Sequence, residues 1–115
     1  MAEGLRTITY PVRDLAKAKA LYGELFGVEP YMDQPYYVGF SAGGQDVGLD
    51  PQGHKKGMTA PIPYWHVEDI QASLKTLLDA GAEIVQDPKD VGEGNLIATV
   101  KDPDGNVTGL FQAAG

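Results

Sequence analysis

Val12-Arg13-Asp14-Leu15 returns 55 residues later as Val67-Glu68-Asp69-Ile70, and each quartet opens an amphipathic segment. Further on, Val47-Gly48-Leu49 is answered by Thr108-Gly109-Leu110. A chain that says nearly the same thing twice is built from two copies of one small unit. Neither copy can bury both a helix and a sheet face alone, so the copies are expected to pair and share a core, as stacked repeats do.

The local signals agree between the copies. Thr7-Ile8-Thr9-Tyr10 is rich in β-branched and aromatic residues and reads as a first strand. Asp14 then serves as a helix N-cap, its carboxylate accepting from early backbone amides. Leu15, Ala18, Tyr22 and Leu25 follow at helical spacing, with Leu21 and Phe26 widening the stripe, and Gly27 ends the helix. An aromatic strand over residues 36–41, a turn at Ala42-Gly43-Gly44 and a returning strand over 45–50 complete the copy. In the second copy Ile62 to Val67 reads as a strand and Asp69 as the cap. Ile70, Leu74, Leu77 and Leu78 form the stripe, and Gly81 closes it. Strands follow over 82–86, 96–100 and 107–112, the last introduced by the turn Asp102-Pro103-Asp104-Gly105-Asn106. The expected organisation is a single domain over 1–115, with one module at about 4–51, a linker at about 52–60 and a second module at about 61–113. The expected fold class is α+β: two paired modules whose strands form a curved mixed sheet cup, with helices outside and a concave cleft inside. Trp65 and Phe40 are expected in the core. Tyr36 and Tyr37 are adjacent, so only one of them can face inward.

Composition narrows the function. The 16 acidic and 9 basic residues give a net charge of −7, which disfavours nucleic acid as a partner. The basic cluster His54-Lys55-Lys56 sits between glycines and reads as a solvated linker. There are no cysteines, so thiol nucleophiles and disulfides are excluded. No apolar run approaches a membrane span and no export signal is visible, so a cytoplasmic protein without a membrane partner is expected.

The two Val-x-Asp-Leu/Ile quartets, Leu21-Tyr22 to Phe26-Gly27, Ala80-Gly81-Ala82 and the Asp102–Asn106 turn together resemble the vicinal oxygen chelate superfamily. That superfamily includes glyoxalase I, extradiol dioxygenases and the bleomycin and fosfomycin resistance proteins. The resemblance covers the whole chain and implies two βαβββ modules and a homodimer. Members with metal chemistry hold the ion with four strand residues, usually His, Gln or Glu. Two of them lie seven positions before the capping aspartates and two on the last strands. The matching positions here are Thr7, Ile62, Gly48 and Gly109. One hydroxyl between four positions cannot replace the water shell of a divalent ion, so no metal and no other cofactor is expected.

Alternation along strands extends these positions to Thr9, Asp50, Tyr64, His66 and Phe111 on the same face. The paired glycines would leave empty volume there, and a roomy aromatic cleft suits a small aromatic or amphipathic ligand. His66 is the candidate catalytic residue, since imidazole titrates near neutrality, but no serine or carboxylate partner is identifiable beside it. The expected function is therefore a glyoxalase/bleomycin-resistance-like, metal-independent small-molecule binder. The alternative is a glyoxalase-like lyase, isomerase or dioxygenase that works without a metal.

Overall fold

In the computed structural model, which describes residues 2–115, both repeated aspartates cap helices. Asp14 Oδ1 accepts from the Lys17 N–H at 3.1 Å and precedes α1 (Leu15–Phe26). Asp69 Oδ1 accepts from the Ala72 N–H at 3.1 Å and precedes α2 (Ile70–Asp79). In each case the side chain satisfies an amide that the first helical turn leaves without a partner. α1 stops at Gly27, whose φ of 68° is the left-handed conformation that a Cβ would disfavour.

The strands are β1 (Ala2–Pro11), β2 (Met32–Gln34), β3 (Tyr37–Ala42), β4 (Gln45–Asp50), β5 (Ile62–Val67), β6 (Glu83–Asp90), β7 (Leu96–Lys101) and β8 (Val107–Gln112). The order βαβββ thus occurs twice, and the fold class is α+β. The chain divides into two compact units, residues 7–62 and residues 63–115 joined by 2–6. The strand order within the first unit is β2-β3-β4-β1, with β4 and β1 parallel and the other pairs antiparallel. Within the second it is β6-β7-β8-β5, with β8 and β5 parallel. A parallel pair at one side of an otherwise antiparallel run follows from the helical crossover between the first strand and the rest.

Each unit has its own core. In the first, Val38, Phe40 and Leu49 are fully buried, and Tyr10, Leu15, Ala18, Tyr22 and Phe26 pack on them. Aromatic contacts run Tyr10–Tyr22–Phe26–Phe40 with centroid separations of 5.0, 5.8 and 5.4 Å. In the second, Val67, Ile70, Leu74, Ala98, Val100 and Leu110 make an aliphatic core.

The structure corrects several expectations. Leu21 and Leu25 lie outside the α1 stripe, 61% and 69% exposed, because the wide Tyr22 and Phe26 rings already cover the sheet. Trp65 is not a core residue; it is 37% exposed, while its neighbour Val67 takes the buried place under α2. β2 is a strand without a hydrophobic signature, and β6 runs to Asp90 with register shifts between Ile84 and Lys89. The segment read as a solvated linker is docked on the first unit. Gly53 is buried, and a Cβ there would come within 2.6 Å of Pro11 Cβ. His54–Lys56 forms a 3-10 turn, from which Lys56 Nζ reaches Asp50 Oδ2 at 2.9 Å.

Candidate functional site

The faces turned away from the helices carry the residues singled out from sequence. In the first unit, Tyr10, Val38, Phe40 and Leu49 pack toward α1, so alternation sends Thr7, Thr9, Tyr37, Gly39, Asp46, Gly48 and Asp50 to the opposite face. The register places Thr9 beside Gly48 and Gly48 beside Gly39. In the second unit, Ala98, Val100 and Leu110 face α2, which leaves Tyr64, His66, Ile97, Thr99, Gly109 and Phe111 opposite. Here Tyr64 stands beside Gly109, and Gly109 beside Thr99. The matched glycines of the repeat therefore occupy matched places: each adjoins the first strand of its unit five residues before the capping aspartate.

The empty volume expected over these glycines is not there. A Cβ on Gly48 would overlap the hydroxyl of Tyr37, and a Cβ on Gly109 would overlap the Tyr64 ring. A third pair repeats the device: a Cβ on Gly39 would lie 2.8 Å from Tyr31 Cζ. Glycine is used at these positions because a ring needs the room, a known way of restoring packing over glycine in a strand.

The polar groups around Tyr37 define its chemistry. Burial pushes its phenol above the ordinary value, the Thr9 hydroxyl beside it acts the other way, and the charges of Asp46 and Asp50 reinforce the rise. Thr7 Oγ1 lies near the same phenol, buried and with no partner at hydrogen-bonding geometry. Asp46 Oδ1 accepts from Tyr31 Oη at 2.5 Å. Asp50 is buried and held by Lys56 and by the Gln52 N–H at 2.8 Å. This places Asp50 as an anchor for the 51–58 segment as well as a member of the face.

In the second unit His66 stands edge-on to Phe111, with ring centroids 5.4 Å apart, and the Arg6 guanidinium lies 4.8 Å from the Phe111 centroid. Ile62 is buried and belongs to the first unit. Sequence reasoning missed Tyr31, Thr99 and Arg6, and it left open which of Tyr36 and Tyr37 faces inward. For Tyr37 the available signal was its spacing of two from Gly39, which puts both on one face. A groove of about 680 Å³ lies elsewhere, at the start of α2 beside Glu68, Asp69, Leu96 and Gln112. Its Ile70 N–H is already taken by Gln112 Oε1 at 2.7 Å, and its charged residues are acidic.

The donor set at the four repeat-matched positions is one threonine hydroxyl, one isoleucine and two ring-covered glycines, which does not fit a divalent cation. Among the described residues no three His, Cys, Asp or Glu side chains gather as a metal-holding group. None of the described helices is long and apolar enough to cross a membrane.

A family model for the glyoxalase/bleomycin resistance protein/dioxygenase superfamily matches residues 4–110, and the chain belongs to that superfamily. Among solved structures it is similar to a superfamily member from Vibrio splendidus 12B01, with TM-score 0.75 and 18% identity over 95% of this chain and 99% of that one. It is also similar to methylmalonyl-CoA epimerase from Mycobacterium tuberculosis, with TM-score 0.72 and 16% identity over 99% and 90%. The Mn(II)-bound glyoxalase from Novosphingobium aromaticivorans gives TM-score 0.72 and 16% identity over 96% of this chain and 39% of that one. At these identities the likeness shows the fold. Comparison with curated proteins returns no match.

Proposed function

We propose that the chain is a metal-independent binder of a small aromatic or amphipathic molecule. One observation carries this reading: of the four positions where metal-using relatives would need donors, two are glycines filled by tyrosine rings and the others are Thr7 and Ile62. Aromatic walls with a few hydroxyls are what such a ligand needs. In the first unit the contacts fall to Thr7, Thr9, Gly48, Asp50 and Ile62. In the second they fall to Tyr64, His66, Gly109 and Phe111. A cytoplasmic homodimer belongs to the same reading, and light scattering on the purified protein tests the dimer.

The test of the main claim is dialysis against zinc, nickel, manganese and iron salts followed by elemental analysis. Substoichiometric metal is expected; a tightly held equivalent would overturn it. A thermal-shift screen of aromatic antibiotics and metabolites is expected to give ligands that raise Tm by mass action, about 2.7 kcal/mol at a hundredfold excess over Kd. The second reading is a metal-free lyase, isomerase or dioxygenase. It is favoured by the half-buried phenol of Tyr37, raised above its ordinary value and so a proton donor, in a chain whose structural neighbours include an epimerase and a glyoxalase. Turnover of a glutathione hemithioacetal, lost in His66→Ala or Tyr37→Phe, would decide for it.

A further inference from the structure

The first unit puts a phenol hydroxyl over its last-strand glycine, whereas the second puts ring carbons there. We infer that Tyr37 is a specificity-determining residue that donates a hydrogen bond to an uncharged acceptor oxygen, a ketone or amide carbonyl, of an aromatic ligand. This rests on the reading of the chain as a small-molecule binder and adds the chemistry of one contact.

Three features lead to a neutral acceptor. First, burial and two neighbouring carboxylates all oppose the phenolate, so the group stays protonated and can donate. Second, the charges that act on it are those of Asp46 and Asp50. A ligand carboxylate or phosphate brought to the phenol would meet the same repulsion. Third, those carboxylates are already engaged, Asp50 by Lys56 at 2.9 Å and Asp46 by the Tyr31 hydroxyl at 2.5 Å. A ligand ammonium is therefore not needed to satisfy them. The hydroxyls of Thr9 and Thr7 surround the phenol with neutral polarity, and Thr7 Oγ1 is itself unspent. Gly48 holds the arrangement open, since any Cβ would displace the phenol oxygen.

The test compares 2-acetylnaphthalene, 2-ethylnaphthalene, 2-naphthoate and 2-naphthylmethylammonium by titration of backbone amide NMR signals, with those of Gly39 and Gly48 reporting on this face. The ketone is expected to bind about 10-fold more tightly than the hydrocarbon, as one neutral hydrogen bond allows, and more tightly than either ion. Tyr37→Phe should remove that preference while leaving the hydrocarbon's affinity unchanged. Gly48→Ala, which moves the phenol without deleting it, should reduce the preference as well. If Tyr37→Phe keeps the preference, or if naphthoate or the ammonium binds most tightly, the inference is overturned and the binder reading stands. If the wild-type protein binds none of the four, both fall.

Discussion

The two units solve one packing problem with the aromatic residue on different strands. In the second, β5 supplies it: Tyr64 stands beside Gly109 and its ring base covers the glycine, while β7 offers Ile97 and Thr99. In the first, the place matching Tyr64 is Thr9, too small to cover Gly48, and β3 supplies Tyr37 instead, two residues before Gly39. The exchange changes what is presented. A ring reaching from the adjoining position covers glycine with carbon; a ring reaching from the end of the other neighbour covers it with its hydroxyl. Two copies with the same backbone plan thus end with one apolar and one polar slot, and the polarity follows from which strand donates the tyrosine.

The units differ again beneath the sheet, and there the largest effect is expected. The first core is a short aromatic ladder closed by Phe40, while the second spreads burial over six aliphatic residues. Phe40→Ala should cost about 3–5 kcal/mol in urea denaturation, and Leu74→Ala about 2–5 kcal/mol. A cost for Phe40→Ala below that of Leu74→Ala would show that the ladder is not what holds the first unit.

The slots come next. Gly109→Ala and Gly48→Ala each overpack a filled site, at a cost of about 1–3 kcal/mol. The two should not be equal. At Gly48 the obstructing atoms are the far end of Tyr37, which can swing aside, whereas at Gly109 they include Tyr64 Cγ, close to the backbone. Gly109→Ala should therefore be the costlier, and Tyr64→Ala should offset part of its cost in the double variant. Additive single effects would mean that ring and glycine are not coupled.

A pH series separates the slots by chemistry. Because the Tyr37 phenol is raised in the folded chain above its ordinary value of 10.0, the folded state holds a proton that the unfolded chain releases. That contribution is fully present below pH 10.0 and is lost as pH rises through the folded value. Unfolding followed above pH 10.0 should thus steepen with pH in the wild type and less so in Tyr37→Phe. Equal slopes would place the phenol in contact with bulk water.

What the sequence made legible is the part fixed by local rules. The duplicated caps, helix stripes and last turn depend on residue type and spacing, and these yielded the βαβββ order. The slots depend on which side chain crosses to a neighbouring strand, and no one-dimensional pattern encodes that. Gly48 and Gly109 read as vacancies because the rings that fill them come from other strands. Trp65 failed for a related reason: alternation put it on the α2 side, but how far a helix covers a strand is set by the helix's position. Asp50 read as a face residue, and its tie to Lys56 emerged only once the 51–58 segment had folded back.

The smallest effects lie at the helix starts. Asp14→Ala and Asp69→Ala remove equivalent caps, with equal 3.1 Å bonds, and each should cost about 1 kcal/mol. α2 has a second tie, since Gln112 at the end of β8 accepts from the Ile70 N–H. Matching Gly109 to Gly48 puts Pro51 at the corresponding place in the first unit, and proline has no side-chain amide to offer. Gln112→Leu keeps the side chain's bulk and deletes only the acceptor, so about 0.5–1.5 kcal/mol is at stake. Hydrogen exchange should then show the first turn of α2 opening more readily, with α1 unchanged, and the two helix starts should approach one another in protection. If protection at α2 does not fall, the Asp69 cap alone is holding that turn, and the asymmetry between the helix starts has no energetic consequence.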